Sequence, residues 1–282
     1  MSFSSDVKEE LSKMNNLANK ELVKAELYGY LKSNNVCKNG ENTKFSTESE
    51  YNINRFSKLL NNMNLVGYEI EIIGKKYNIT ISKKDSRRLD EMYNKYNLVE
   101  KDEKAFMRGA FLGSGSINNP EKKYHIEIAV KEKNIAKQII EILERHNIKL
   151  KLLEGKQKHL IYSKDGEEIS KFLAFIEANT SVIKFEEIRV YRDMSNNVNR
   201  IVNCETANLS KTINASVKQI EAIKKLKQQG KFSSLPDNLK EIAELRLEYP
   251  ESSLVELGKM LKEPIGKSGV NYRLNAIMKM VN

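Results

Sequence analysis

The sequence predicts an α+β fold: a duplicated αββαββα unit that forms a pseudo-dimer, followed by an all-α C-terminal domain. One observation is a glycine-containing helical motif that occurs twice, with its glycines at Gly29 and Gly109. Another is that the same succession of alternating and helical patterns follows each copy, which predicts the same fold twice. The third is a set of short amphipathic helical patterns after Leu235, which predicts the all-α part.

Length and composition are typical of a soluble globular protein with more than one domain. The chain has 282 residues, of which 40% are hydrophobic and 30% are charged. Its net charge of +10 favours a polyanionic partner without identifying one, since basic surfaces also bind membranes. The longest apolar runs are far shorter than the ~20 residues that span a bilayer. Because the opening MSFSSDVKEEL is acidic and amphipathic, we also expect no signal peptide.

The cysteines and histidines predict neither a disulfide framework nor a metal centre. Cys37 and Cys204 are far apart in the sequence, which fits a reducing cytoplasm. His125, His146 and His159 lack the spacing of metal ligands. We therefore expect no metal site and no cofactor.

The first copy of the repeat begins with the motif Lys24–Leu31, in which Ala25 and Gly29 are four residues apart. The elements predicted after it are a strand near Phe45, a helix over Asn52–Met63, strands over Val66–Ile73 and Tyr77–Ser82 joined by the turn Gly74–Lys76, and a helix over Asp85–Tyr96.

The second copy begins with the motif Lys104–Leu112, in which Ala105 and Gly109 have the same spacing. The elements predicted after it are a strand over His125–Val130, a helix over Glu132–His146, strands over Lys149–Leu153 and His159–Ser163 joined by the turn Gly155–Gln157, and a helix over Gly166–Ala178.

The small residues of the two motifs predict how the two halves pack together. Residues four apart lie on one side of a helix, so each motif helix has a small-residue face that another backbone can approach closely. The alternative is that each glycine only interrupts a surface helix, at a cost of ~1 kcal/mol relative to alanine. Because the pair occurs twice, we expect Gly29 and Gly109 to lie where the motif helices contact each other.

The two motifs resemble those of the LAGLIDADG homing endonucleases, in the registers Leu27–Asn35 and Met107–Gly115. In that family the eighth motif position is an aspartate that holds the divalent metal for phosphodiester cleavage. This sequence has Asn34 and Ser114 there, and neither side chain supplies the negative charge that Mg²⁺ coordination requires. The resemblance therefore implies the scaffold without the nuclease activity, and no catalytic residue is assigned. The alternative is an active site-specific endonuclease with relocated acids, such as Glu26 and Glu127.

The chain as a whole resembles the WhiA family of bacterial regulators in four segments. They are Ser2–Leu11, Arg108–Leu112 with Asn119–Glu121, Asn199–Asn208 with Lys211 and Thr212, and Lys267–Arg273. That family joins a degenerate LAGLIDADG domain to a C-terminal helix-turn-helix. The resemblance implies a cytoplasmic, nucleoid-associated DNA-binding regulator, linked to sporulation in some bacteria and to cell division and chromosome segregation in others.

A basic segment, residues 196–234, precedes the C-terminal domain. It has seven cations against two acids, a net charge of +5. Ile213, Val217, Ile220 and Ile223 predict a helix with one apolar stripe, which Gly230 ends. One interpretation is a solvated basic helix. The alternative is an arm that contacts phosphates through side chains such as Arg200 and Lys211.

The sequence pattern of the C-terminal domain predicts a helix-turn-helix. Its first helix, Asn238–Glu248, turns Leu239, Ile242 and Leu245 inward and ends before Pro250. Ser253 and Glu256 predict a capping box at the start of the second helix, and Lys262–Gly266 leads to the third.

The third helix is predicted to lie in the major groove of DNA. Val270, Leu274, Ile277 and Met278 recur on one face and predict burial there. The residues predicted to contact DNA are Lys267, Ser268, Asn271, Tyr272, Arg273, Asn275 and Lys279, and no acid occurs from Pro264 to Asn282.

Individual roles follow from side-chain chemistry. Lys267 and Ser268 would meet a phosphate or the first base edge. Asn271 could pair with adenine and Arg273 with guanine, while Tyr272 could pack on the sugar-phosphate wall. The alternative for each of these residues is ordinary surface solubility.

Together these features predict the domains and the function. Residues 1–97 and 98–195 are expected to be the two repeats, 196–234 a basic linker helix, and 235–282 the helix-turn-helix domain. We expect a monomeric, sequence-specific transcriptional regulator that binds double-stranded DNA at promoters and no membrane. The family's helix-turn-helix is similar to the sigma-factor part that reads the −35 element, which implies RNA polymerase or another regulator as a neighbour. The alternative is a protein–protein adaptor of the division machinery that binds through its sheets.

Overall fold

The computed structural model describes residues 2–94 and 96–281. The chain divides into two compact units, one up to Asp193 and one from Met194. Across these described residues, every helix is too short or too polar to cross a membrane.

The first unit contains the two predicted αββαββα halves. A helix, α1 (Phe3–Ser12), precedes them. The first half is α2 (Lys20–Lys32), β1 (Val36–Asn39), β2 (Asn42–Thr47), α3 (Glu50–Asn62), β3 (Tyr68–Ile73), β4 (Lys76–Ile81) and α4 (Lys83–Asn94). The second half is α5 (Glu103–Ser114), β5 (Gly115–Ile117), β6 (Ile126–Val130), α6 (Lys133–Arg145), β7 (Lys151–Leu153), β8 (His159–Ser163) and α7 (Gly166–Phe175). The predicted duplication is confirmed, and β1 and β5 are two strands that the sequence patterns did not predict.

The two halves form separate antiparallel sheets with the same topology. Their strand orders are β1-β2-β4-β3 and β5-β6-β8-β7, so equivalent strands occupy equivalent places. The hairpin between β3 and β4 has a two-residue turn, in which Ile73 pairs with Lys76. Gly74 has a φ of +60° there, in the left-handed region that such a turn requires and that glycine adopts without strain.

The motif helices α2 and α5 pack with their backbones in contact. A Cβ atom on Gly29 would lie 2.1 Å from the carbonyl oxygen of Phe106, and one on Gly109 would lie 1.9 Å from that of Glu26. Both distances are far below van der Waals contact, so only glycine fits at either position. Ala25 and Ala105, one turn earlier, are also buried in this contact region.

The core of the first unit lies between the sheets and these helices. Tyr30, Phe45 and Phe56 pack against one another with ring centroids 4.7–5.4 Å apart. Beside them Arg55 and Glu26 form an ion pair in which both side chains are 1% exposed. The arginine donates from Nε to Oε1 at 2.7 Å and from Nη2 to Oε2 at 2.8 Å, so both carboxylate oxygens are used.

A long helix, α8 (Asn179–Gln228), begins in the first unit and ends in the second. Every residue from 196 to 215 is exposed. The predicted apolar stripe is therefore not a buried one in this stretch: Ile213 and Val217 are about half exposed, and burial is complete only at Ile223. The helix also starts at Asn179, 17 residues before Asn196, where the linker was predicted to begin. Helix α7 ends at Phe175, and only a short turn separates it from α8.

Candidate nucleic-acid interface

Three short helices form the C-terminal domain around their own core. They are α9 (Asp237–Glu248), α10 (Leu254–Met260) and α11 (Lys267–Lys279). Their core includes Leu239, Ile242, Leu257, Val270, Leu274 and Ile277, and the last turns of α8 add Ile223 and Leu226 to it. The domain is therefore supported by α8 as well as by its own three helices.

The connection from α10 to α11 is fixed by specific contacts. The predicted capping box is present at the start of α10: Ser253 Oγ accepts from Glu256 N–H, and Glu256 accepts from Ser253 N–H. Near the end of α10, a Cβ on Gly258 would lie 2.2 Å from the carbonyl oxygen of Ile265. This close approach requires glycine. The turn is also tied to α9, since Lys262 N–H donates to Glu241 Oε1 at 2.7 Å.

These contacts hold α11 with one face in the core and one face outward. Val270, Leu274 and Ile277 are buried as predicted, whereas Met278 is only partly buried. The opposite face has Tyr272 at its centre, with 76% of its surface exposed. One shallow depression on this face is lined by Ser268, Asn271, Tyr272, Asn275, Met278 and Lys279. The structure thus brings together five of the seven side chains that the sequence analysis assigned to α11.

The other two, Arg273 and Lys267, lie on opposite flanks of α11. At about 100° per residue, Arg273 is roughly 100° around the helix from Tyr272, and it is partly buried. It lies outside the group that surrounds the depression. Lys267 is exposed at the first turn, next to Lys211 and Thr212 of α8 around a second cavity.

The two basic residues predicted on α8 are both exposed. Arg200 and Lys211 are eleven residues apart, which is about three helical turns, so they point in the same direction roughly 16 Å apart. Within the second unit, Lys211 is therefore beside the start of α11, whereas Arg200 lies on the exposed stretch of α8 before it.

The degenerate motif positions of the first unit meet at a single carbonyl group. Asn34 donates its backbone N–H to the carbonyl oxygen of Ala129 at 2.9 Å, and Ser114 donates its hydroxyl to the same oxygen. The carbonyl lies in β6, beside the ends of both motif helices. The place where the family resemblance implies metal-binding acids thus has neutral hydrogen bonds, of which that of Asn34 joins the two halves and that of Ser114 lies within the second half.

The acids considered for a relocated nuclease site are separate and otherwise engaged. Glu26 is buried with both oxygens bound to Arg55, as described above. Glu127 lies on β6 with its side chain 40% exposed, and its Oε2 is 3.3 Å from His125 Nε2. In residues 2–94 and 96–281, no three acidic, histidine or cysteine side chains cluster in a way that could hold a metal ion.

Arg246 of α9 is a buried residue that the sequence analysis did not identify. Its side chain is 1% exposed, whereas Leu245, predicted to face inward, is only partly buried. Position 246 follows Leu239 and Ile242 at intervals of seven and four, so it continues their inward face. Its helical spacing indicates a buried position, but the sequence analysis did not expect burial there because arginine is charged.

Comparison with known proteins identifies both parts of the chain. Residues 103–195 match the WhiA LAGLIDADG-like domain and residues 198–281 match the WhiA C-terminal HTH domain. The chain belongs to the WhiA family. A probable cell division protein WhiA from Clostridium perfringens is 50% identical over 186 residues, which cover 65% of this chain and 59% of the relative. One from Clostridium botulinum is 48% identical over 188 residues, or 66% and 60%.

The chain spans about three fifths of the length of these curated relatives. A solved structure gives a longer match. Full-length WhiA from Thermatoga maritima covers 100% of this chain and 98% of its own, with 28% identity and a TM-score of 0.63. The predicted fold class and family are confirmed by these matches.

Proposed function

We propose that this WhiA-family chain is a sequence-specific DNA-binding protein that regulates transcription and has no nuclease activity. The observation that carries the proposal is the outward face of α11, with its exposed tyrosine, amides and cations. This helix has a net charge of +3, although residues 235–282 have seven cations and seven acids. Attraction to a polyanion would therefore come from one face of the domain rather than from its overall charge.

The geometry supports a division of roles among the side chains of α11. Asn271, Tyr272 and Asn275 lie nearest the centre of the exposed face, where base edges of a major groove would be met. Ser268 and Lys279 lie at its two ends, where a helix in the groove passes the phosphates. Arg273, on the flank, is assigned to guanine or phosphate at the wall of the groove. Arg200 and Lys211 are assigned to phosphates.

Loss of nuclease activity is supported by the first unit. The positions of the two expected metal-binding aspartates are Asn34 and Ser114, which are both uncharged, and the Ser114 hydroxyl donates to the carbonyl oxygen of Ala129. The test is incubation of the chain with supercoiled plasmid and Mg²⁺ or Mn²⁺. We expect the plasmid to stay supercoiled. Reproducible cleavage that disappears when Glu127 or the motif helices are changed would instead support the endonuclease alternative.

DNA binding itself is tested with duplexes selected from a random library. The affinity for a selected duplex and for a scrambled one is measured at several salt concentrations. Phosphate contacts predict that log K falls linearly with log salt, and base readout predicts tighter binding to the selected duplex. Selection without enrichment, together with an affinity that does not depend on salt, would favour the protein–protein adaptor.

The biological setting is proposed from the relatives. Two of them are named probable cell division proteins, which supports a role in cell division, chromosome segregation or sporulation. A DNA-binding regulator of this kind would act in the cytoplasm at the nucleoid. Promoter DNA, bound by a monomer with RNA polymerase or another regulator nearby, is the proposed target.

A further inference from the structure

Arg246 is a buried cation that has no acidic partner among the residues described. Its side chain is 1% exposed, and its Nη1 donates to the carbonyl oxygens of Ser252 at 2.7 Å and Pro250 at 3.4 Å. Its Nε is buried and finds no acceptor in the described part of the chain. Burial lowers the pKa of the guanidinium, which shows the same lack of a compensating negative charge. A buried charge without a counter-ion is costly, so an anion is the natural complement of this group.

A cavity in the second unit lies next to Arg246. Its volume is about 240 Å³, enough for several waters at roughly 30 Å³ each. Gln219 of α8 also lines it, is 3% exposed, and has a buried Oε1 without a partner in the described residues. The amide of Gln219 offers a donor or an acceptor depending on its rotation. Two buried polar groups with unused hydrogen-bonding capacity therefore lie at one cavity.

The rim of the cavity is cationic and rich in hydroxyl groups. Lys211 and Thr212 of α8 lie on one side, and Ser253 and Lys267 lie at the starts of α10 and α11. Among the residues described, the lining includes no acid, and the carboxylate of nearby Glu256 accepts from the backbone N–H of Ser253 at 2.7 Å. The site thus combines three cations from three helices with the hydroxyl of Ser253, while the hydroxyl of Thr212 donates to the carbonyl oxygen of Asn208 at 3.0 Å.

We propose that this cavity binds a phosphate group. Donors that come from several helices suit the tetrahedral oxygens of phosphate better than a planar carboxylate, and a guanidinium fork is well suited to phosphate oxygens. The phosphate is assigned to the backbone of the duplex bound by α11, because Lys267 is the first residue of that helix and phosphates border the groove. This assignment of the source rests on the proposed function, whereas the binding of phosphate does not.

The rim, rather than Arg246, is changed in the test, because Arg246 also fixes the turn between α9 and α10. The test compares the thermal unfolding of the full chain, of Lys211→Met and of the control Lys224→Met, which changes an exposed lysine on the other side of α8 and outside the lining of this cavity. Each is measured in chloride and in inorganic phosphate at equal ionic strength. Phosphate stabilises proteins generally, so the readout is the difference between variants. We expect the wild type and the control to gain roughly 2–4 °C more than Lys211→Met. Equal gains in all three would overturn the phosphate site.

A second arm identifies the source of the phosphate. The salt dependence of duplex binding is measured for the same three proteins, and loss of one phosphate contact predicts a slope smaller by about 1 for Lys211→Met. An unchanged slope together with a lost phosphate effect would assign the cavity to free phosphate esters and overturn the DNA assignment. If the wild type binds no duplex at all, the proposed function fails, and the thermal arm still decides whether the cavity binds phosphate.

Discussion

At the scale of single residues, the contact between the motif helices depends on two glycines. The repeated spacing of small residues was enough to predict close packing, because its steric basis is local to each helix. The structure adds the identity of the opposing atoms, which are backbone carbonyl oxygens of Phe106 and Glu26. Since backbone cannot move aside as a flexible side chain can, a single methyl group is a severe change at either position.

Gly29→Ala is therefore expected to destabilise the chain. Its Cβ would lie 2.1 Å from Phe106 O and 2.7 Å from Ala110 N, and forcing these backbones apart costs about 1–3 kcal/mol or more. Urea unfolding followed by circular dichroism measures the loss. The matched control is Gly266→Ala, where φ is −73° and no atom of the described residues lies within 4 Å of the new methyl group. If both variants unfolded at the wild-type midpoint, close packing at Gly29 would be wrong.

Glu26 gives a second residue-scale prediction. Replacing it by Gln leaves Arg55 charged and buried without its carboxylate, which typically costs 3–5 kcal/mol. The same midpoint measurement applies, with Glu127→Gln as control because that side chain is 40% exposed and its Oε2 lies 3.3 Å from His125 Nε2. We expect a large loss for the first variant and little change for the second. The reverse order would indicate that the buried pair has no structural role.

At the scale of secondary structure elements, the sequence predicted those with strong periodicity and missed the weak ones. Helices α3 and α6 and strands β4 and β8 have regular apolar spacing and were predicted within about two residues. Strand β1 has one buried residue, Val36, and β5 has three residues in all, so neither provides enough alternation to recognise. Both exist because a neighbouring strand, β2 or β6, supplies their hydrogen bonds.

In helix α8 the apolar periodicity is present, but the residues that form it are not buried. Apolar residues at helical spacing normally mark a buried face. Here Ile201, Leu209 and Ile213 have that spacing and are 51–61% exposed. Periodicity alone shows that one face of a helix is apolar. It does not show whether another part of the molecule covers that face.

The exposure of residues 196–215 predicts that this part of α8 opens locally. An isolated helical stretch without tertiary contacts opens locally at low cost, so its amides exchange quickly. Hydrogen exchange read by mass spectrometry should show faster exchange for peptides within 196–215 than for peptides of α5, which is buried along most of its length. Equal protection of the two segments would contradict the described exposure.

At the scale of the whole molecule, the positive charge is distributed unevenly along the chain. The net charge of +10 includes +5 in residues 196–234 and none in 235–282, where seven cations balance seven acids. The sequence therefore identified the basic segment and the acid-free helix separately. It could not show that Lys211 and Lys267 lie around one cavity, because that depends on packing between helices. The flank position of Arg273, in contrast, follows from helical spacing alone.

The most direct test is the effect of Asn271→Ala on binding to a selected duplex and to a scrambled one. Asn271 lies on the exposed face of α11, and losing a bidentate base contact costs ~1–3 kcal/mol on the correct sequence. We predict affinity for the selected duplex about tenfold or more weaker, little change on the scrambled duplex, and wild-type behaviour for the control Asn238→Ala on the exposed side of α9. Wild-type affinity of Asn271→Ala and of Tyr272→Ala for the selected duplex would contradict DNA reading by α11.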